Sequence, residues 1–370
     1  MKRIARFFWH DKVFLIASSL ALLSLFFFPP TLTTIKAINF DVIIIMFSLM
    51  LAIAGMGEAN LFTKIAISLT SRVYTIRYVG LIIVVSTFFL GMWVTNDAVL
   101  LTLVPFTLIV MRQTNSERYS LVIVIMQTFA ANMGSALTPM GDPQNIYLYQ
   151  LYELEFSEFM KATWQITVTA FVLILLTTYF LLPNTFIKPV MVEPKLDRKK
   201  LVVEIILFIV VLLVMLRVIT AFWALAAAIV ITSVFYPHLF KKVDYQLLLT
   251  FMSFFIFTYN ISQFQPLIDL SSRLLNSGVN VYLSGLLFSQ FMSNVPASVL
   301  LSTFTSKAYW RYLVRGVNVG AMGSIIGSLA SLITLKFVLK EFPGEGKNYL
   351  KLYTLLSIVY IIVISGVLFI

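Results

Sequence analysis

The chain has 370 residues, of which 60% are hydrophobic and only 12% charged, with a mean hydropathy of +0.95. A water-soluble chain is about 45–50% apolar and about 25% charged, so this composition excludes a soluble enzyme and predicts function inside a lipid bilayer. The net charge of +11 comes from 27 Lys and Arg against 16 Asp and Glu, and there is no Cys. Disulfides, thiolate metal sites and cysteine nucleophiles are thereby excluded. The two His, His10 and His238, lie at peripheral positions, so a His-based metal or catalytic site is not expected. The positive surplus is better read as an orientation signal than as a nucleic-acid footprint.

In chain order, apolar stretches long enough to cross occur at 13–30, 40–56, 119–150, 161–182, 200–218, 221–239, 246–262, 308–340 and 349–370, which predicts nine transmembrane helices. The basic start, Met1-Lys2-Arg3 through Lys12, has no small-residue cleavage site before Pro29-Pro30 ends the first run, so an uncleaved first helix is expected. Two further apolar stretches, 78–111 and 279–304, are split by Thr95-Asn96-Asp97 and Ser293-Asn294-Val295. An arm of about 13 residues reaches only about 20 Å, too short for two crossings. Both stretches are therefore expected to be re-entrant hairpins whose tips lie at membrane depth, where irregular backbone survives only against protein or a wet cavity. For the longer 78–111, two packed crossings are the other reading. Residues 61–71, charged only at Lys64, read as an interfacial helix, and Arg217 as a snorkelling side chain.

The segment 183–200, rich in Pro and in charge, reads as a solvated cytoplasmic linker. It divides a first repeat at 1–182 from an extra helix and a second repeat at 201–370. With the N-terminus cytoplasmic and the hairpins not crossing, most of the basic residues fall on the inner side, as the positive-inside rule requires. Lys307, Arg311 and Arg315 are the exceptions.

The two halves share a pattern. Asn132-Met133-Gly134 through Gly141-Asp142 and Asn318-Val319-Gly320 through Gly327-Ser328 both fit Asn-x-Gly-x-x-x-(Thr/Ser)-x-x-Gly-(Asp/Ser), each after a hairpin with Asn at its tip. Matching helices open at Phe40-Asp41 and Val243-Asp244. The crossing count puts the second repeat upside down. Inverted repeats with paired broken helices point to a transport site at the midplane.

Trp93-Val94-Thr95-Asn96-Asp97 carries the strongest chemical signal, because a charge in the centre of an apolar stretch is costly and marks a functional site by default. A cap could be supplied by Ser or Thr, so the charge of Asp97 points to a proton or Na+ ligand. In Ser293-Asn294-Val295-Pro296, proline favours a helix start, so Ser293 or Asn294 is expected to cap a short arm whose positive end attracts an anion. The run Gly134 to Asn145 cannot continue a lipid-facing helix; it predicts an unwound break with Asp142 as cap and Pro143 opening the next half-helix. Gly320 to Ser328 is its partner. Glu58 reads as a helix-end carboxylate at the interface.

The segments TNDAVLLTLVPFTL, ANMGSALTPMGDPQNIYL, SNVPASVLL and VNVGAMGSIIGSLASLITLKF resemble the citrate-transporter-like permeases of the ion transporter superfamily, over roughly residues 40–340. That group includes divalent anion:sodium symporters, arsenite permeases and sodium/proton antiporters. The resemblance implies an all-α polytopic membrane protein with two inverted repeats, about nine transmembrane helices, two re-entrant hairpins and broken helices. It also implies substrate contacts at Thr95, Asn96, Ser293 and Asn294, cation-site loops at Gly134–Asp142 and Gly320–Ser328, elevator-type motion and a homodimer. Two departures stand out: Asp97 and Val295 replace the third residue of each Ser-Asn-Thr motif.

The expected function is secondary active transport of a small anion, an organic di- or tricarboxylate such as citrate, coupled to Na+ or H+, across a bacterial or archaeal cytoplasmic membrane. No cofactor beyond the coupling ion is expected. Thr95, Asn96, Ser293, Asn294, Thr138 and Ser324 are the candidate substrate contacts. Asp97, Asn96, Gly134, Asp142, Asn294 and Gly320 are the candidate proton or Na+ positions. One alternative keeps the fold as a Na+/H+ antiporter or arsenite exporter; another is an intramembrane aspartyl protease using Asp97 and Asp142. No Walker A pattern supports ATP-driven pumping.

Overall fold

The structure is a computed structural model that describes residues 12–71, 73–187 and 195–369. The basic N-terminal residues with His10, Arg72 and the part of the predicted linker at 188–194 lie outside the described residues. Among the described residues the chain is all α, with an isolated bridge between Thr75 and Phe186 as the sole β pairing. Helices α1 (Lys12–Phe27) and α2 (Leu32–Lys36) precede a series that occurs twice in the same order. The first series is α3 (Phe40–Glu58), α4 (Leu61–Thr70), α5 (Ile76–Gly91), α6 (Asn96–Gln113), α7 (Ser120–Ser135), α8 (Pro143–Leu151) and α9 (Phe156–Leu181). After α10 (Arg198–Met215) and α11 (Ala221–Phe235) come α12 (Tyr245–Ile261), α13 (Gln265–Leu274), α14 (Gly278–Met292), α15 (Asn294–Phe304), α16 (Trp310–Gly320), α17 (Leu329–Glu341) and α18 (Gly346–Phe369). Even the single 3₁₀ turns before α7 and α16 correspond.

Among the described residues, three stretches are long and apolar enough to cross a bilayer unaided: Leu32–Glu58, Phe156–Leu181 and Gly346–Phe369. Most other apolar helices are shorter or come as broken pairs, and α12 and α13 meet at a 99° bend. Short and broken helices are tolerable in lipid only where other protein satisfies the freed backbone groups. Here that protein is the rest of the same repeat together with the other repeat. Helices α5 and α6 fold back against α7, and α14 and α15 do the same against α16. The half-helices then cross over: α8 packs on α15, and α17 packs on α6.

Local chemistry explains where these elements begin. Asn39 accepts a hydrogen bond from the Val42 amide at 3.2 Å to open α3, and Asp244 accepts one from the Leu247 amide at 2.9 Å to open α12. Pro143 stands at the first position of α8, where its missing N–H costs nothing. The chain breaks between α14 and α15 at one residue, Ser293, whose φ of 73° and ψ of 155° fall in a region that favours glycine. The expected three-residue interruption is thus narrower than its polarity indicated.

Polar pairs tie the ends of the elements. Arg112 meets Glu341 at 2.8 Å, and Glu58 meets Lys200, Lys242 and His238. Arg217 donates to the Tyr149 carbonyl at 3.4 Å and lies 5.4 Å from that ring, so it is docked rather than snorkelling freely. Arg315 donates to the Ala162 carbonyl at 2.5 Å.

Candidate functional site

The two hairpin tips meet at one carboxylate. Asn96 heads α6 and its side-chain amide donates to Asp142 Oδ2 at 2.9 Å; Asn294 heads α15 and donates to the same oxygen at 3.3 Å. Asp142 holds the cap position of α8 without capping it, because its carboxylate turns away from the helix toward the two asparagines. The equivalent residue of the second half, Ser328, does cap α17, accepting from the Ala330 amide at 3.2 Å. Its hydroxyl also donates to Asn132 Oδ1 at 3.1 Å, the oxygen that accepts from Asn96 at 3.0 Å.

The backbone repeats this symmetry. The Asn96 amide donates to the Gly141 carbonyl at 3.1 Å, and the Asn294 amide to the Gly327 carbonyl at 2.9 Å. Each tip is thereby fastened to the broken-helix loop of its own half. Glycine is required at both loop positions: a Cβ on Gly141 would lie 2.5 Å from the Ser135 carbonyl oxygen, and one on Gly327 would lie 2.7 Å from that of Gly320. Gly134 and Gly320 lie against the carbonyls of Phe88 and Leu286, at matching points of α5 and α14. Both therefore serve close helix approach.

Asp97 follows Asn96 in the first turn of α6, and its backbone amide donates to Asn96 Oδ1 at 2.8 Å. The Asp97 Oδ1 atom is buried and without a hydrogen-bond partner. Asp97 faces two spaces. One is a small pocket shared with Asn96, Asp142, Asn294, Val295 and Ser328. The other is a vestibule of about 530 Å³ whose lining includes Thr95, Asp97, Glu58, Lys242 and Asp244. Lys242 is the basic residue in that lining, and it is ion-paired to Glu58 at 2.8 Å. Among the described residues no salt bridge reaches Asp97 or Asp142. A carboxylate held at depth without a counter-charge favours a proton or a metal cation.

The other expected contacts have varied surroundings. Thr95 lines the vestibule, and Ser293 lines a separate small pocket with Val13, Thr250 and Pro296. The Ser293 hydroxyl donates to Asn294 Oδ1 at 3.3 Å and makes no cap, contrary to the capping expected there. Thr138 and Ser324 join loops to tips: Thr138 donates to the Met92 carbonyl, and Ser324 to the Gln290 carbonyl at 2.9 Å. Those two hydroxyls are engaged with backbone. Asn132 and Asn318, the first residues of the shared motif, are buried partners that the sequence singled out only as pattern. Asn318 donates to Asn145 Oδ1 at 2.8 Å and its Oδ1 accepts from Asn145 at 3.2 Å and Gln144 at 3.3 Å. Their identical place in two copies of one motif was the available signal.

Residues 7–308 match the family described as Citrate transporter. The chain belongs to the citrate transporter family. An uncharacterized transporter of Methanocaldococcus jannaschii is 31% identical over 300 residues, covering 81% of each chain. The inner membrane protein YbiR of Escherichia coli is 28% identical over 302 residues, covering 81% of this chain and 80% of its own. The fold is that of the YdaH transporter of Alcanivorax borkumensis, with a TM-score of 0.60 at 14% identity, covering 97% of this chain and 98% of that one. This citrate transporter family member is a membrane transporter and not an enzyme. Asp97 and Asp142, the pair a protease would need, are also differently employed: Asp142 is bound by two asparagines, and no hydrogen bond joins the two carboxyl groups. The matched region ends before Asn318 and Ser328, so the second broken helix is carried by its geometry.

Proposed function

We propose that the chain is a secondary active transporter that moves an organic di- or tricarboxylate such as citrate, coupled to Na+ or H+. The observation that carries this reading is the convergence of Asn96 and Asn294 on Asp142 beside the unpartnered Asp97 Oδ1 at the floor of the vestibule. The coupling cation binds first, at Asp97 and the adjoining loops, and removes the negative charge that would repel a carboxylate. The substrate then meets the amides of Asn96 and Asn294, Thr95 and Ser293, and the N-termini of α6 and α15, whose partial positive charge suits an anion. Thr138, Ser324, Gly134 and Gly320 hold the loops against the tips.

The two halves form inverted repeats, the N-terminus is cytoplasmic, and the hairpins travel together against the remaining helices of a homodimer in an elevator-type motion. Support for that motion comes from the packing of each half-helix on the other half's hairpin, which makes the tips and breaks one connected body. A second reading, a Na+/H+ antiporter or arsenite exporter, is favoured by one observation. The lysine lining the vestibule is paired with Glu58, and among the described residues no salt bridge reaches Asp97. Uptake of labelled citrate into proteoliposomes under imposed Na+ or pH gradients separates the two. Gradient-driven citrate accumulation supports the first; gradient-driven Na+/H+ exchange with no anion uptake supports the second.

A further inference from the structure

The vestibule that ends at Asp97 carries at its rim a cluster that the transport site does not use. Glu58, the last residue of α3, holds two lysine side chains and a histidine. Its Oε2 accepts from Lys200 of α10 and from His238 Nε2 at 2.8 Å, and its Oε1 accepts from Lys242 Nζ at 2.8 Å. His238 and Lys242 come from one 3₁₀ turn, Pro237–Lys242, that packs on α3. The three differ in exposure: the Lys200 side chain is 7% exposed, whereas those of His238 and Lys242 are 52% and 51% exposed. Lys200 also lies 4.3 Å from the Tyr236 ring, which fixes it further.

The cluster is thus a cradle that already binds a carboxylate, its own. Lys200 and Glu58 form the fixed half. Lys242 lines the vestibule, and His238 and Lys242 can turn from Glu58 to a carboxylate arriving from water without uncovering a buried charge. We infer that Lys242 and His238 form a carboxylate-binding station at the vestibule mouth, where Glu58 holds the place of the incoming anion. The station receives a carboxylate-bearing substrate before it reaches the asparagine tips, and it resolves a charge problem: an anion must enter a space whose floor carries Asp97. Electrostatic capture of this kind acts on encounter and apparent affinity and weakens with salt.

The inference rests on the proposed carboxylate transport. On the proposed topology this mouth faces the cytoplasm, so its test is citrate entry into inside-out proteoliposomes by the full chain and by Lys242→Ala combined with His238→Ala, measured against citrate concentration and ionic strength. The two exposed contacts together are worth about 1–2 kcal/mol, so half-saturation should rise about five- to thirtyfold in the double variant. The maximal rate and the cation dependence should stay near the parent values. Half-saturation in the parent should rise with ionic strength, and that dependence should flatten in the double variant. Lys242→Arg should behave as the parent, and Glu58→Gln, which empties the cradle, should lower half-saturation. Unchanged half-saturation and salt dependence in the double variant would overturn the station while leaving transport intact. Loss of maximal rate at unchanged half-saturation would overturn it too, since it marks a structural role. Absence of citrate uptake by the parent removes both readings.

Discussion

The side-chain amide of Asn96 donates to Asp142 at 2.9 Å across 46 residues of chain, joining the first hairpin tip to the cap position of the broken helix. Because Asn294 donates to the same oxygen, Asp142 is one of the points at which the two halves are tied. Asp142→Ala leaves two buried amides without that acceptor, and an unsatisfied buried donor costs about 1–3 kcal/mol. Thermal unfolding in detergent should show a clear loss of stability together with loss of coupled uptake.

Asp97 differs in kind. Its Oδ1 has no partner to lose, so Asp97→Asn should leave stability within about 0.5 kcal/mol of the parent, the range of substitutions that break no such feature. Coupling should be lost all the same. Thermal unfolding alongside gradient-driven uptake checks both halves of this expectation; a large fall in stability would show that Asp97 is structural.

Ser293 sits at φ 73° and ψ 155°, a conformation that costs a non-glycine residue about 1–3 kcal/mol. Ser293→Gly should raise stability by about 1 kcal/mol by removing that strain, offset in part by the entropy that glycine loses on folding. It also removes the hydroxyl that donates to Asn294, so uptake should fall although the fold is firmer. Unfolding and transport measured on one preparation would show the two moving in opposite directions.

Gly141→Ala and Gly327→Ala should each cost about 1–3 kcal/mol, since the added methyl meets backbone oxygen in a packed loop. Gly344→Ala and Gly366→Ala are controls, because nothing lies within 4 Å of a Cβ at either position. Parallel unfolding curves of the four variants decide whether the loops are as tightly seated as the geometry requires.

Part of this site is legible in the chain alone. The tips at Asn96 and Asn294 and the breaks after Ser135 and Gly320 stand out, because a polar residue within a lipid-length apolar run is costly and persists only where a break or a binding site needs it. Helix starts at Pro143 and Asn294 are legible because proline, at 143 and 296, favours the first turn of a helix. The partners are not. That Asp142 turns from its own helix to two asparagines depends on the packing of the halves on each other, and no local pattern encodes a contact such as that of Asn294 with Asp142 across 152 residues. Thr138 and Ser324 look like ligand contacts by composition, yet each hydroxyl reaches a hairpin carbonyl, because a helix that breaks in lipid must satisfy its freed backbone groups. Glu58 reads as a simple helix-end carboxylate until the fold brings Lys200, His238 and Lys242 to it.

Coupling through Asp97 is tested most directly by concentrative uptake of labelled citrate into proteoliposomes, for the parent and for Asp97→Asn, under an imposed Na+ or pH gradient. The parent should accumulate citrate against its gradient, and the variant should reach only downhill equilibration. Coupled accumulation by Asp97→Asn equal to that of the parent would contradict the proposed role, as would gradient-driven Na+/H+ exchange by the parent with no carboxylate moved.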